Sequence, residues 1–323
     1  MLINGEIRVF SGTANPKLAT HVCEYMEIPV GSSKIEPFPD GEVSIKLEDD
    51  VRGRDCFIIQ STCPPVNETL MELLIFIDCL RRASAERITA VLPYFGYARQ
   101  DRKSEGRTPI TAKLVANLIC TAGVDRVLAM DLHAEQVQGF FDIPVDHLQA
   151  APVLVDYYMG LDLPDPVLVS PDLGNVKTAN RYAEFLGGQM AVIDKRRESG
   201  RDAVATRVIG DVDGKDVLMI DDMITTAGTM CSAASYLRDH GARSIRVGAT
   251  HGVFAHPAAE RFADSPIDEV VVTDTVPISD EVRKKINPKI LSVAQLLGEA
   301  IVRIHQHESV SAIFRRENIV TSR

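Results

Sequence analysis

The segment from Val217 to Thr229 combines, in one short stretch, the residue types needed to bind a sugar phosphate. Its apolar start predicts a buried strand, and two adjacent acids follow before a Thr/Gly loop that opens a helix. Backbone N–H groups at such a loop can hold a phosphate, and the carboxylates can accept hydrogen bonds from sugar hydroxyls. The residues of this predicted site are Asp221, Asp222, Thr225, Thr226, Ala227, Gly228 and Thr229.

An ordinary helix N-cap after a strand is the simpler alternative for this segment. It leaves the paired acids beside the Thr-Thr-Ala-Gly-Thr run unexplained. A P-loop is excluded, because no Gly-Lys-Ser or Gly-Lys-Thr follows. We therefore interpret the segment as a combined phosphate and sugar site.

Two other groups of polar residues could contact phosphates. Lys195 and Arg197 are separated by one residue, so in an extended loop both side chains would point the same way. Both could then contact one transferring phosphoryl group. A solvated basic patch is the alternative.

Arg99, Gln100 and Asp101 follow another predicted strand and offer a guanidinium, an amide and a carboxylate, which suit a purine nucleotide and its phosphates.

His133 and Asp172 each follow a predicted strand, the position at which α/β proteins place ligands. By themselves they are typical of a hydrogen-bonded structural histidine and a common Pro-Asp turn. The segment Phe38–Glu42 contains a proline and an Asp-Gly pair, which predicts a hairpin turn.

The elements that must position these residues follow from the alternation of short β-branched stretches with longer amphipathic ones, which predicts an α/β fold with parallel sheets and crossover helices. The predicted strands are Ile7–Phe10, Cys56–Gln60, Ile88–Leu92, Arg126–Met130, Val167–Ser170, Met190–Ile193, Val217–Ile220, Ile245–Thr250 and Glu269–Thr273. The predicted helices are Asn67–Ala83, Pro109–Thr121, Val176–Leu186 and Thr229–His240. We place a boundary near residue 148, giving domains of residues 1–148 and 149–323.

Composition excludes several classes of partner. With 45 acidic and 35 basic residues, the 323-residue chain has a net charge of −10, which disfavours binding to nucleic acid or an anionic membrane. The six cysteines form no C-x-x-C pair and lie mostly in apolar stretches, which predicts reduced thiols without zinc or disulfides. No stretch approaches the roughly 20 apolar residues that span a bilayer. We therefore expect a cytoplasmic protein with no membrane or nucleic-acid partner.

The segment Val217–Thr229 resembles the motif that binds phosphoribosyl diphosphate (PRPP) in type I phosphoribosyltransferases and in PRPP synthetases. Seven further segments are similar to synthetase segments, in the family's order: Phe38–Glu42, Asn67–Leu74, Pro93–Asp101, Pro109–Lys113, Met130–Ala134, Gln138–Val145 and Asp194–Arg197. The transferases share the fold and the loop but not this series. By this resemblance the chain is identified as a member of the class I ribose-phosphate diphosphokinases.

The resemblance implies two similar type I phosphoribosyltransferase-like domains, each a mainly parallel sheet flanked by helices. It also implies transfer of the diphosphoryl group of Mg²⁺-ATP to the 1-hydroxyl of ribose 5-phosphate, giving PRPP and AMP for nucleotide biosynthesis. The first domain would bind ATP and the second ribose 5-phosphate. The C-terminal tail would pack back on the first domain, and the enzyme would form a homohexamer built from dimers.

Residue roles follow from the same resemblance. It assigns ATP binding to Arg99, Gln100 and Asp101, and the adenine is also reached from a neighbouring subunit by Phe38, Asp40, Gly41 and Glu42. It assigns Mg²⁺ binding to His133 and Asp172. It assigns catalysis to Lys195 and Arg197. Arg197 joins Asp221–Thr229 at ribose 5-phosphate, and Arg52, Ser309, Ser311 and Phe314 line a regulatory site. The stretches 102–108 and 198–205 would be mobile loops, the first closing over the triphosphate.

The chain departs from the family at two positions. Thr225 stands where many synthetases have an aspartate, and Asn175 where many have a second glycine. Asn tolerates a left-handed backbone, so the turn at Asn175 can form. A phosphoribosyltransferase and a non-catalytic regulatory subunit are the rival functions. Retention of the candidate catalytic and metal residues argues against the second.

Overall fold

The computed structural model describes residues 6–164, 166–197 and 204–314, without the side chains of residues 195–197, 204–206 and 314. The predicted α/β class with parallel sheets is confirmed. The chain divides into two compact units. Unit 1 runs up to Ala150 and also contains Thr275–Pro277 and the chain from Ser292 onward; unit 2 contains Ala151–Asp274 and Ile278–Leu291.

Unit 1 is built on a five-stranded, wholly parallel sheet in the order β1-β4-β5-β6-β7. A separate antiparallel hairpin is formed by β2 and β3. Its elements are β1 (Ile7–Ser11), α1 (Pro16–Tyr25), β2 (Ser33–Pro37), β3 (Val43–Leu47), β4 (Asp55–Ile59), α2 (Val66–Arg82), β5 (Arg87–Leu92), α3 (Thr111–Ala122), β6 (Arg126–Met130), β7 (Val145–Leu148) and, near the chain's end, α9 (Ala294–His305). Short 3₁₀ turns cover Glu135–Phe140 and Val310–Phe314.

Unit 2 contains a seven-stranded sheet in the order β10-β9-β8-β11-β12-β13-β14. The pairs are parallel except that between β9 and β10. Its elements are α4 (Ala151–Met159), β8 (Pro166–Ser170), a 3₁₀ turn (Leu173–Asn175), α5 (Val176–Leu186), β9 (Gln189–Arg197), β10 (Val204–Ile209), β11 (Asp216–Ile224), α6 (Gly228–Asp239), β12 (Ser244–Gly252), α7 (Ala258–Ala263), β13 (Glu269–Thr273), α8 (Asp280–Ile286) and β14 (Lys289–Leu291).

All nine predicted strands and four predicted helices are present, most with shifts at their ends. The largest differences are at β9 and β11, which were predicted to stop at Ile193 and Ile220 but continue to Arg197 and Ile224. Strand pairing explains both extensions, because β10 pairs with β9 as far as Arg197 and β12 pairs with β11 as far as Ile224. Lys195 and Arg197 therefore lie in a strand and not in a loop.

Helices cover both faces of the unit 2 sheet, as parallel strands require. Successive residues of β11 show this directly: Val217 and Met219 pack in one buried cluster, and Leu218 and Ile220 in another. Both clusters include residues from helices, which explains why β11 reads as an uninterrupted apolar stretch. Of the chain's six free cysteines, three are buried and three partly exposed, as expected for reduced thiols.

A buried ionic group holds α9 within unit 1. The Asp55 side chain is 0 % exposed and accepts hydrogen bonds from both Nε (2.8 Å) and Nη2 of Arg87. His305, at the end of α9, lies 2.7 Å from the same carboxylate through Nδ1, and Arg87 also donates to the Ile304 carbonyl at 3.1 Å. The segment that follows unit 2 in the sequence is thereby fixed to the sheet of unit 1.

We predict that Asp55→Ala lowers the free energy of unfolding by about 3–5 kcal/mol, because it leaves the partly buried Arg87 without its counter-charge. Urea unfolding followed by circular dichroism measures this. Asp78→Ala is the control: Asp78 forms an exposed i,i+4 pair with Arg82, so its loss should cost only about 0–1 kcal/mol. Similar losses in the two variants would contradict a special role for the buried group.

Candidate active site

The two acids of the predicted sugar site lie where β11 extends beyond one of its neighbours. Pairing of β11 with β8 ends at Leu218, whereas pairing with β12 continues to Ile224. Asp221 and Asp222 therefore stand at the carboxyl edge of the sheet, and both are half-buried. The Asp222 N–H donates to Oδ1 of Asp221 at 2.9 Å.

Burial, the adjacent charge of Asp222 and the charge of Asp172 raise the pKa of Asp221 to about 8. Desolvation is the largest of these causes, because a carboxylate loses more hydration free energy than a carboxylic acid when it is buried. Burial and the neighbouring acids therefore favour the protonated form of this carboxyl. A cation or hydroxyl donor placed here would favour the ionised form.

The loop after β11 has the backbone of an anion site. Ala227 adopts a left-handed conformation (φ 61°) at the N-cap of α6, and its carbonyl accepts the first helical hydrogen bond, from Cys231 N–H at 2.9 Å. The first N–H groups of a helix have no intrahelical partner, and the helix dipole favours an anion beside them. The acids and the predicted phosphate loop thus belong to one strand–loop–helix unit.

Gly228 begins α6 directly against a guanidinium. A Cβ atom at this position would lie 3.1 Å from Nη1 of Arg261, and the same Nη1 donates to the Thr226 carbonyl at 2.8 Å. A residue with a Cβ atom here would therefore require the guanidinium to shift slightly. From the sequence, Gly228 was expected to allow close approach of a phosphate. Nothing in the sequence singles out Arg261, which is 33 residues downstream of Gly228.

Asp172 caps the 3₁₀ turn that follows β8. Its Oδ1 accepts hydrogen bonds from the N–H groups of Gly174 (2.8 Å) and Asn175 (3.1 Å). The Asn175 side chain in turn donates through Nδ2 to the Ile220 carbonyl, 2.8 Å away, directly before the acid pair. Because β8 no longer pairs with β11 at this level, the amide takes the place of a strand partner.

Asn175 thus ties the Asp172 turn to β11. Its φ of −98° is not left-handed, so the turn forms without the backbone conformation considered from sequence. Its side chain provides a tether that glycine, with no side chain, lacks. The sequence marked the position as a departure, but only the fold places Asn175 beside Ile220.

His133 belongs to unit 1, where it follows β6 and is exposed. The backbone directly before it is held by two hydrogen bonds. Asp131 has a positive φ of 37° and accepts a hydrogen bond from Ala150 N–H at 2.9 Å, and the Leu132 N–H donates to Nε2 of His147 at 3.0 Å. A predicted ligand thus sits on a fixed strand-end loop.

Arg99, Gln100 and Asp101 do not leave a strand end directly. β5 ends at Leu92, and a turn segment with buried aromatic residues intervenes. Gln100 accepts from the Thr111 hydroxyl through Oε1 at 2.5 Å, at the start of α3, and Asp101 accepts from Gln136 at 3.0 Å. Residues 102–107, which follow, are exposed and form no helix or strand, as predicted for this loop.

The segment Phe38–Glu42 is the tip of the β2–β3 hairpin, as the turn signal predicted. The Phe38 N–H donates to Glu42 O at 2.7 Å, and Gly41 supplies the positive φ of 92° that the turn requires. Asp40 accepts from the Glu42 N–H at 3.2 Å. Phe38 is 51 % exposed at this tip.

The remaining predicted residues are only partly described. Lys195 and Arg197 lie in β9, but their side chains and residues 198–203 fall outside the described residues. In unit 1, Arg52 is exposed and donates to the Ser84 hydroxyl at 3.2 Å. Ser309 and Ser311 are exposed beside α9, and the side chain of Phe314 also falls outside the described part.

Parallel sheets with an acid pair and a predicted phosphate loop at a strand's carboxyl edge are typical of α/β enzymes of nucleotide or sugar-phosphate chemistry. Residues 7–123 match the model of the N-terminal domain of ribose phosphate pyrophosphokinase, and residues 200–315 match the phosphoribosyl synthetase-associated domain. A crystal structure of phosphoribosylpyrophosphate synthetase from Mycobacterium smegmatis superimposes with a TM-score of 0.87 at 43 % identity, covering 94 % of this chain and 99 % of that one.

Curated relatives agree with these matches. The ribose-phosphate pyrophosphokinase of Rhodopirellula baltica is 54 % identical over 315 residues, which cover 96 % of this chain and 99 % of the relative. That of Caldanaerobacter subterraneus subsp. tengcongensis is 53 % identical, with coverage of 95 % and 98 %. The chain belongs to the ribose-phosphate pyrophosphokinase family and is an enzyme, as the sequence predicted. No helix among the described residues is long and apolar enough to cross a membrane.

The raised pKa of Asp221 makes stability depend on pH. A carboxyl whose pKa rises on folding contributes stability that is present at low pH and is lost as the pH passes through the folded-state value. This loss should occur between the ordinary pKa of 3.8 and the raised value of about 8. Asp221→Asn should therefore raise the Tm, relative to the unsubstituted protein, more at about pH 9 than at about pH 5.

Thermal unfolding without substrates or divalent cations measures this difference. Because the charge of Asp222 contributes to the shift, Asp222→Asn should show the same trend more weakly. A Tm difference for Asp221→Asn that is the same at both pH values would contradict the assignment.

Proposed function

We propose that this enzyme transfers the diphosphoryl group of ATP to the 1-hydroxyl of ribose 5-phosphate, giving PRPP and AMP for nucleotide biosynthesis. The observation that carries the proposal is the strand–loop–helix unit of β11 and α6, in a chain that matches named pyrophosphokinases over nearly its full length. A half-buried acid pair and a helix N-terminus lie side by side there. Such a unit suits a substrate with vicinal hydroxyls and a phosphate.

Ribose 5-phosphate binds with its phosphate on the loop Thr225–Thr229 and its hydroxyls on Asp221 and Asp222. The loop contributes N–H groups and threonine hydroxyls, which fit a phosphate dianion. The acids accept hydrogen bonds from neutral hydroxyls and so remain on the uncharged side of the substrate. Thr225 in place of an aspartate keeps an additional negative charge away from the phosphate.

ATP binds at Arg99, Gln100 and Asp101 of unit 1. A guanidinium and an amide can contact the phosphates and the purine. The hairpin tip with Phe38, Asp40, Gly41 and Glu42 reaches the adenine of a neighbouring copy. The exposure of Phe38 supports this role, since stacking on a purine would bury the ring.

Lys195 and Arg197 stabilise the diphosphoryl group during transfer, and Arg197 also contacts ribose 5-phosphate. The reaction moves a strongly charged group between two oxygens, so positioning and charge neutralisation provide most of the catalysis. The oxygen of the 1-hydroxyl forms a bond to the β-phosphorus of ATP. The bond between that phosphorus and the oxygen that leaves with AMP breaks, and the hydroxyl proton is released.

Mg²⁺ fits the donor chemistry of the described residues. Asp172 and His133 are exposed at strand ends, and the charge of Asp172 contributes to the raised pKa of Asp221, so a divalent cation would relieve repulsion among the acids. No group of three or more His, Cys, Asp or Glu among the described residues forms a closed metal site. Mg²⁺ commonly takes one or two protein carboxylates, substrate phosphates and waters. The cation would screen the charge of the phosphate oxygens.

Three features of the proposal concern the whole protein. The enzyme acts in the cytoplasm as a homohexamer built from dimers, since the Phe38 hairpin needs a neighbour. Arg52, Ser309, Ser311 and Phe314 line a regulatory site for ADP or inorganic phosphate. Neither nucleic acid nor a membrane is a partner, consistent with the net charge of −10.

Incubation with ribose 5-phosphate, ATP and Mg²⁺ tests the reaction. We expect AMP and PRPP to form in a one-to-one ratio, measured by anion-exchange chromatography and by phosphorus NMR. Release of pyrophosphate from PRPP with a purine or pyrimidine base, without use of ATP, would instead identify a phosphoribosyltransferase. Absence of both reactions would favour a regulatory subunit.

A second experiment tests the metal role of Asp172. Asp172→Asn keeps the Oδ1 that caps the 3₁₀ turn but removes the negative charge, so the turn should persist while Mg²⁺ binding weakens. We expect the Mg²⁺ concentration for half-maximal rate to rise at least about tenfold, the effect commonly seen for groups around a metal site. The Tm should change little.

Asp211→Asn is the matched control, because Asp211 is exposed and accepts a backbone N–H in a similar local turn, from Asp213 at 3.2 Å. It should leave the Mg²⁺ dependence unchanged. If Asp172→Asn lost thermal stability and kept normal Mg²⁺ dependence, Asp172 would be architectural only.

A further inference from the structure

Arg261 lies on α7, outside the segment from which the sugar phosphate site was predicted, but it contacts that site directly. Its Nη1 donates to the Thr226 carbonyl at 2.8 Å and lies 3.1 Å from the position that a Cβ atom on Gly228 would take. The guanidinium therefore bonds to the backbone directly before Ala227 and lies close to Gly228 directly after it, in the middle of the predicted phosphate loop. Arg261 is itself exposed and remains accessible to solvent.

The hydrogen bond to Thr226 determines which way a key N–H group points. In a trans peptide the carbonyl and the N–H lie on opposite sides of the chain. Because the Thr226 carbonyl faces Arg261, the N–H of Ala227 faces away from it. The left-handed φ of 61° at Ala227 is unfavourable for a residue with a Cβ, so the surrounding contacts must hold it. The bond from Arg261 is one such contact.

No carboxylate neutralises the charge of Arg261 in the described part of the chain. Its neighbour Glu260 pairs with Lys285 at 2.7 Å, and among the described residues no acid lies within ion-pair distance of Arg261. A positive charge thus adjoins the loop that would receive a phosphate dianion. A guanidinium presents five N–H donors, so a bond to Thr226 leaves others for further contacts.

We propose that Arg261 is a positioning residue of the sugar phosphate site, orienting the Thr226–Ala227 peptide for phosphate binding and adding positive charge beside it. The inference rests on the proposed function, because it assumes that the loop receives the phosphate of ribose 5-phosphate. It extends that function to a residue of another helix. It also gives Gly228 a second role, because the lack of a side chain there leaves room for the guanidinium as well as for the substrate.

The test compares Arg261→Met with Arg261→Lys. Loss of a charge-assisted hydrogen bond should raise the KM and the Kd for ribose 5-phosphate on the order of tenfold in Arg261→Met, whereas kcat and the KM for ATP should change less than about twofold. Arg261→Lys keeps the charge but not the fork geometry, so its increase should be smaller. Isothermal titration calorimetry with ribose 5-phosphate alone gives the Kd without turnover.

Lys285→Met is the matched control. It removes one positive charge from the same surface, since Lys285 pairs with the residue next to Arg261, but it does not touch the loop. We expect unchanged ribose 5-phosphate binding in this variant. An equal weakening in Lys285→Met and Arg261→Met would overturn the positioning role in favour of general surface charge.

Thermal unfolding separates positioning from a purely structural role. If Arg261→Met has an unchanged Kd for ribose 5-phosphate, the inference is overturned, whether its Tm is lower or unchanged. If Arg261→Met does not fold, Arg261→Lys decides by the same criteria, with a raised Kd expected. Failure of the unsubstituted enzyme to form PRPP would refute the proposed function, whereas normal turnover with an unaffected Arg261→Met would refute this inference alone.

Discussion

The site in unit 2 depends on the unequal pairing of β11 with its two neighbours. β11 is the central strand of seven, and its ladder with β8 ends at Leu218 while that with β12 continues to Ile224. The acids thus remain on a rigid strand but are exposed on one side. The Asn175 amide satisfies the Ile220 carbonyl at this step, because an unpaired buried carbonyl would be costly.

This placement brings opposite electrostatic preferences together within a few residues. Partial burial near the sheet raises the pKa of Asp221, which marks a position where further negative charge is unfavourable. Beyond it, the N-terminus of α6 and the Arg261 guanidinium favour an anion. A substrate with neutral hydroxyls at one end and a phosphate at the other matches both preferences, which is the chemistry of a ribose phosphate.

Unit 1 supports its predicted ligand residues differently. There the loops are fixed by individual side chains: Asp131 and His147 hold the backbone directly before His133, and Gln100 is bonded to Thr111 at the start of α3. The buried Asp55 group fixes α9, although α9 follows unit 2 in the sequence. Long-range polar contacts of this kind complete a unit that is discontinuous in sequence.

The sequence by itself determined the α/β class, the order of the main elements and the strand–loop–helix unit around Asp221, because apolar periodicity and local turn chemistry act over short stretches of chain. It did not determine the full length of β9, which depends on pairing with β10, or the bonds from Arg261 to Thr226 and from Asn175 to Ile220. Those residues are 35 and 45 positions apart. Only the tertiary structure brings them together, because packing of whole helices and strands sets such contacts, and no local pattern encodes that packing.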